Sequence, residues 1–346
     1  MSARVYLDYN ATAPLRPEAR AAMIDALDLT GNPSSVHAEG RRAKGLVERA
    51  RAQVASAVGC QPQEVVFTSG ATEAAQVLSN WRSDGVVVEP TAHDAVWAHH
   101  SPTERPAIHA YGVANSETGL LAPAETLTPA PDGGLLFLDI TQAVGRIPFA
   151  FSWSGADLAV LSAHKLGGPR GVGALIVRQG LDIPPLASGG GQEMGRRSGT
   201  ENTAGIAGFG AAAEAAQRDL ADGVWSDVEK LRKILESAIE DGPGAPIFVG
   251  RDRDRLPNTT CLIAPGWKGE TQVMAMDLAG YAISAGSACS SGKVRSSRVL
   301  TAMGYSEVEA ASAVRVSLGP ATKEDDVCRF AEIWRRHYDK HRSRAA

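Results

Sequence analysis

Between residues 65 and 161 short β-branched runs alternate with helical and turn-rich stretches, and this alternation restricts the fold more than any other feature. Val65-Val-Phe67, Val86-Val-Val88 and segments near 107–111, 135–139 and 157–161 read as strands; Ala71 to Asn80 and His93 to His99 read as helices between them. Strands joined through helical crossovers pair mostly in parallel and need helices on both faces. Upstream, residues 14–28 and 37–58 read as helices, separated by the turn Gly31-Asn-Pro-Ser-Ser35. Residues 203–240 are Ala-rich and read as long helix broken near Asp222-Gly223. Beyond Gly242-Pro243-Gly244 the pattern changes to strands at 246–249, 258–264, 281–285 and 314–318 interleaved with helices. The expectation is an α/β protein with a large domain over 13–240 and a smaller α+β domain built from 1–12 and 241–346.

A net charge of -4 gives no general attraction to nucleic acid or an anionic membrane. The N-terminus Met1-Ser-Ala-Arg-Val-Tyr-Leu-Asp8 has no apolar core of a leader, and no run approaches the roughly 18 apolar residues of a membrane span. A cytoplasmic protein is the default expectation. The four cysteines, at 60, 261, 289 and 328, show neither disulfide nor metal-ligand spacing, so free thiols and no metal site are expected. Cys289 differs from the others in its small, polar neighbours, Gly286-Ser-Ala-Cys-Ser-Ser-Gly292. The basic end, Trp334 to Arg344, reads as a solvated helix terminus.

In a sheet of this kind ligands bind beyond the carboxyl ends of the strands, so the polar residues there carry the chemistry. The run ending at Leu161 leads into Ser162-Ala-His-Lys165, then a bend rich in glycine, then a second apolar run, Gly173 to Val177. Two strands joined by such a bend hold Lys165 at a fixed point. An amine so held suits a Schiff base to a phosphate-bearing aldehyde cofactor, with Ser162 and His164 on the phosphate. Thr68-Ser-Gly-Ala-Thr-Glu73, after the first of these strands, offers the N–H groups of Gly70 and Ala71 and the Thr72 hydroxyl to the same anion. Asp139 ends another strand, where a protonated pyridine nitrogen is a natural partner, and Gln142 can donate to a phenolic oxygen. His93 suits stacking on a planar ring and proton transfer; Asn115 suits a hydrogen bond to substrate or phenolic oxygen. Arg315, inside the apolar Val314-Arg-Val-Ser-Leu318, suits a carboxylate.

Together these motifs resemble a cysteine desulfurase of the pyridoxal-phosphate class V aminotransferase family, in the branch whose active cysteine lies in a longer, mobile loop. Further matching motifs are Tyr6-Leu-Asp-Tyr-Asn-Ala-Thr12, Gly189-Gly-Gly-Gln-Glu193, Arg197-Ser-Gly-Thr-Glu-Asn202 and Ser287-Ala-Cys-Ser-Ser-Gly292. The resemblance implies an aminotransferase-like (fold type I) architecture with a seven-stranded type of sheet, and pyridoxal 5'-phosphate as cofactor. It makes Lys165 the Schiff-base lysine, Thr72, Ser162 and His164 phosphate contacts, His93 the stacked ring and Asp139 the pyridine partner. Gln142 and Asn115 lie on the phenolic side, and Arg315 holds the substrate carboxylate. Thr200 matches a residue that reaches the neighbouring subunit's phosphate, which implies a homodimer. One region departs from the pattern. Ala114 follows His93 by only 21 positions, where family members usually carry another strand and helix.

The implied reaction is conversion of L-cysteine to L-alanine with sulfur captured on Cys289 as a persulfide, then passed to an iron–sulfur scaffold or relay carrier. A thiol with a reference pKa of about 8.5 needs help to ionise at neutral pH, and His93, Lys293 or Arg295 are the candidates. Selenocysteine lyase, class V transaminase and a low-activity assembly subunit are the alternatives.

Overall fold

The computed structural model describes residues 4–241, 244, 246–286 and 296–345. Cys289, Lys293, Arg295 and the expected mobility of their loop lie outside the described residues. The chain divides into two compact units, Ala13–Ala114 with Ala122–Asp222, and Met1–Thr12 with Asn115–Leu121 and Gly223–Ala346. The strands in chain order are β1 (Val5–Tyr6), β2 (Val65–Thr68), β3 (Val86–Val88), β4 (Ile108–Gly112), β5 (Leu135–Asp139) and β6 (Leu158–Ser162). They continue with β7 (Gly173–Val177), β8 (Ile247–Phe248), β9 (Thr259–Ile263), β10 (Tyr281–Ala282), β11 (Ser284–Ala285) and β12 (Ala313–Ser317).

The first unit is built on a sheet of order β2-β7-β6-β5-β4-β3. β3, β4, β5 and β6 pair in parallel, whereas β7 is antiparallel to both β6 and β2. Val66, Val160, Leu175, Phe137, Ile108 and Val86 are fully buried, as expected of short strands covered on both faces. Among the described residues the sheet has six strands, one fewer than the seven-stranded type expected. The reason is the short segment after His93: it forms one turn of helix, Asp94–Trp97, and a single antiparallel bridge from Ser101 to Val86, leaving β3 at the edge. The region read as helix over 71–80 is α-helical only over Ala71–Ala74 and continues as 3-10 helix over Ala75–Trp81.

The helices Pro17–Leu27 and Ala38–Val58 each pack on a third, Thr203–Ala221. His37 caps the second by accepting from Gly40 N–H, and Gly59 ends it at φ 72°. The third is lined with Ala and Gly, so backbones meet closely: a Cβ on Gly210 would lie 2.7 Å from Ala50 Cα. It ends at Ala221, and Gly223, with φ 77°, turns the chain into the helix Val224–Glu240. That second helix belongs to the other unit, so the division falls at residue 222 rather than at 240. Its apolar stripe, Trp225, Val228, Leu235 and Ile239, is buried, and it packs with the C-terminal helix Glu324–Ala345.

The second unit carries an antiparallel sheet of order β11-β12-β9-β8 and the parallel pair β1-β10. The stretch 281–285, read as one strand, is two: β10 pairs with β1 and β11 with β12, the chain changing sheets at Ile283. Trp334 seats the C-terminal helix. It is fully buried, and its indole N–H donates to Gln272 Oε1 at 3.0 Å. The Gln272 amide donates in turn to the carbonyls of Trp267 and Ser312. No helix among the described residues is long and apolar enough to cross a membrane. Trp334→Ala removes a large buried ring and leaves Gln272 Oε1 unpaired, and is expected to cost about 3–5 kcal/mol. Denaturant unfolding checks this, and a loss below about 1 kcal/mol contradicts the seating role.

Candidate functional site

In the first unit, two chain turns meet at one hydrogen bond. Ser162, the last residue of β6, accepts from the Ala71 backbone N–H at 2.8 Å. The antiparallel register explains the meeting: Thr68 and Ser162 both pair with Gly173 of β7, on either side of that strand. Gly173 must be glycine for this, because a Cβ there would fall 2.6 Å from Gly70 Cα and 2.5 Å from Leu161 O. The bond uses an oxygen lone pair of Ser162, so its hydroxyl proton remains to be donated. The sequence reading takes the N–H groups of Gly70 and Ala71 as open to an anion. Here the first contacts Thr68 Oγ1 at 3.3 Å and the second Ser162. Thr72, one residue on, is exposed.

Past Ser162 a 3-10 turn, Ala163–Lys165, presents the imidazole and the amine. His164 is held neutral, its pKa lowered to about 4 by burial first and then by the charges of Lys165 and Arg170. As a neutral ring it offers an anion one N–H rather than a charge. The turn is tied down by Arg146, a buried residue the sequence reading missed. Its guanidinium donates to the Lys165 carbonyl at 2.9 Å and to Gln142 Oε1. Gln142 is thereby held through its side-chain oxygen.

Asp139 ends β5, partly buried, and its Oδ1 accepts from Thr141 N–H at 2.9 Å. His93 caps the Asp94–Trp97 helix: its Nδ1 accepts from Ala95 N–H at 3.1 Å, which puts the proton of the neutral ring on Nε2. Thr200 is exposed, in the loop preceding the Thr203–Ala221 helix. That unit therefore supplies hydroxyls and a neutral imidazole for a phosphate, a primary amine for an aldehyde and a carboxylate for a cationic ring nitrogen. The donor set fits pyridoxal 5'-phosphate.

The second unit holds Arg315 and Asn115. Arg315 is buried in β12, donates to Asp8 Oδ1 at 2.7 Å and to the Ser116 carbonyl at 3.0 Å, and its Nε has no partner among the described residues. Asp8 also accepts from Ser284 at 2.7 Å. A guanidinium fixed at two points with a buried, unpartnered N–H fits a carboxylate ligand. Asp8 was not foreseen as its partner. Asn115 Oδ1 accepts from the N–H groups of Glu117 and Thr118, both at 2.9 Å. Of the described cysteines, Cys60 and Cys261 are pushed up to about 12 chiefly by burial, and neither suits a thiolate nucleophile.

Residues 5–101 and 98–330 match the model of the aminotransferase class-V family. A curated cysteine desulfurase of Frankia sp. (strain EuIK1) is 40% identical, the alignment covering 95% of this chain and 90% of the relative. Another, of Cereibacter sphaeroides, is 37% identical over 95% of this chain and 94% of its own. The X-ray structure of a NifS-like protein from Rickettsia africae ESF-5 aligns with TM-score 0.87 at 29% identity, covering 97% of this chain and 99% of that one.

The state of His164 gives a pH test. The unfolded chain takes up this proton near pH 6.5 and the folded chain only near 4, so between those values stability falls as pH falls. His164→Gln removes that component. The melting temperature of wild type relative to His164→Gln is expected to drop from pH 6.5 to pH 4; a constant difference contradicts the neutral buried imidazole.

Proposed function

The chain belongs to the cysteine desulfurases of the class-V aminotransferase family, and we propose that it converts L-cysteine to L-alanine, capturing the sulfur on Cys289 as a persulfide. The family works with pyridoxal 5'-phosphate, which supplies an electron sink for chemistry at the substrate's α-carbon. The observation that carries the reading is the bond from Ala71 N–H to Ser162 Oγ, which brings a phosphate-type turn against the turn of Lys165.

On this reading Thr72, Ser162 and His164 hold the phosphate, Lys165 provides the amine for the aldehyde, and Asp139 faces the ring nitrogen. Gln142 and Asn115 donate on the phenolic side, and Arg315 binds the carboxylate of L-cysteine. His93 stacks on the ring and, protonated on Nε2, is positioned as a proton donor. The large unit is the cofactor-binding domain; the small one carries the carboxylate clamp and, in its sequence, Cys289. The sulfur step is a displacement. The Cys289 thiolate forms an S–S bond to the substrate sulfur as the carbon–sulfur bond breaks, and the electron pair left on carbon takes a proton to give the methyl group of alanine.

The exposed position of Thr200 supports its contact with the phosphate of a second copy, and so a homodimer. The persulfide passes to an acceptor protein, an iron–sulfur scaffold or a relay carrier. We place the protein in the cytoplasm, since a reducing compartment keeps the Cys289 thiol available. Cys289→Ala tests the assignment with L-cysteine as substrate. The variant is expected to retain bound cofactor while persulfide formation falls by at least about 10³-fold, since no nucleophile remains for the sulfur. Undiminished persulfide formation by the variant contradicts the reading.

A further inference from the structure

β2 is an edge strand, paired with β7 on one side only. The backbone groups of Val65 and Phe67 point away from β7, where a further strand would otherwise bind them. Two charged side chains take the place of that strand. Arg51 donates to the Val65 carbonyl at 2.8 Å, and Glu193 accepts from the Phe67 N–H at 2.8 Å. The two bind each other through two hydrogen bonds, of 2.7 and 2.8 Å, with side-chain exposures of 7% and 3%. The Arg51 guanidinium also lies 4.9 Å over the Phe67 ring.

Glu193 comes from a loop that closes on itself. Leu186 N–H donates to Arg196 O, Ser198 N–H to Ala187 O, and Gly199 N–H to Gln192 Oε1. Glu193 and Met194 have φ of 49° and 58°, a left-handed conformation that non-glycine residues keep only where their surroundings enforce it. Four residues after Glu193, Arg197 makes a second attachment. Its Nε donates to Glu73 Oε1 at 2.8 Å, while Glu73 Oε2 accepts from Ser69 N–H at 2.6 Å. The loop thus grips the end of β2 and then the turn that follows it.

We infer that residues 186–199 form a brace that fixes the turn Thr68–Glu73 in its phosphate-binding shape, with Glu193 and Arg197 as its positioning residues. The inference rests on the reading that this turn holds the cofactor phosphate. It separates the turn's shape from the groups that touch the ligand: Ser162 and Thr72 contact the phosphate, whereas Glu73, Arg197 and Glu193 act through the backbone they hold. Loss of the brace therefore weakens recognition of the phosphate and leaves the rest of the cofactor's contacts in place.

The buried pair is a poor place to test this, because Glu193→Gln strands the Arg51 charge and can unfold the chain. The Glu73–Arg197 pair, about a quarter exposed at both side chains, is the better target. Full-length wild type, Glu73→Gln, Arg197→Gln and the double variant are stripped of cofactor and titrated separately with pyridoxal 5'-phosphate and with pyridoxal. Amide hydrogen exchange over residues 65–75 is followed in the cofactor-free proteins. The expected result is about tenfold weaker binding of pyridoxal 5'-phosphate by each single variant, with no further loss in the double variant. Pyridoxal affinity stays at the wild-type level and exchange at 69–73 accelerates. Equal loss for the two ligands, or unchanged phosphate affinity and exchange, overturns the brace. Failure of the wild type to bind either ligand counts against the proposed function instead, and the exchange comparison still decides the brace.

Discussion

The hydrogen bond from Ala71 N–H to Ser162 Oγ is the point at which the chemistry of the first unit depends on its topology. It exists because β7 runs antiparallel between β2 and β6, bringing Thr68 and Ser162 opposite the same residue, Gly173. The parallel strands β4 and β5 are ordinary crossover strands, and Asp139 arrives at the end of one of them. Displacing β7 by one residue would turn its side chains to the other face and separate the two turns. The buried Val, Ile and Leu residues of this sheet therefore set where a serine hydroxyl, a neutral imidazole and a lysine amine stand.

Arg315 leans on Asp8, Arg51 on Glu193, and Arg197 on Glu73. Burial alone would raise the Glu73 carboxyl; the bonds from Arg197 and Ser69 outweigh it and hold the group below its usual range. Buried pairs of this kind contribute little net stability, since desolvation offsets most of their attraction. Their value is geometric. Each fixes a side chain or backbone segment that the proposed chemistry needs at one place.

Much of this was legible in the sequence, and the reasons differ by element. The strands of the first unit were readable because β-branched runs in a two-sided sheet are nearly continuous, as in Val86-Val-Val88. The break before Gly223 was readable because glycine marks a left-handed turn. That the next helix belongs to the other unit was not, since nothing local records where an amphipathic helix packs. Ser162 and Asp139 end strands and Lys165 lies in the turn after one, positions that were readable because the apolar runs before them stop there. Arg51, Glu193 and Asp8 were missed because each acts on a partner far along the chain; Arg51 and Glu193 are 142 residues apart. Two signals were present for Glu193: a carboxylate in a glycine-rich stretch, and an arginine on the otherwise apolar side of the Ala38–Val58 helix. Only the fold joins them.

The most direct test of the central claim is chemical identification of the lysine that receives the cofactor. The protein is loaded with pyridoxal 5'-phosphate, reduced with borohydride, digested and mapped by mass spectrometry. The account predicts a reduced pyridoxyl group on Lys165. A label on any other lysine, or none after loading, contradicts it.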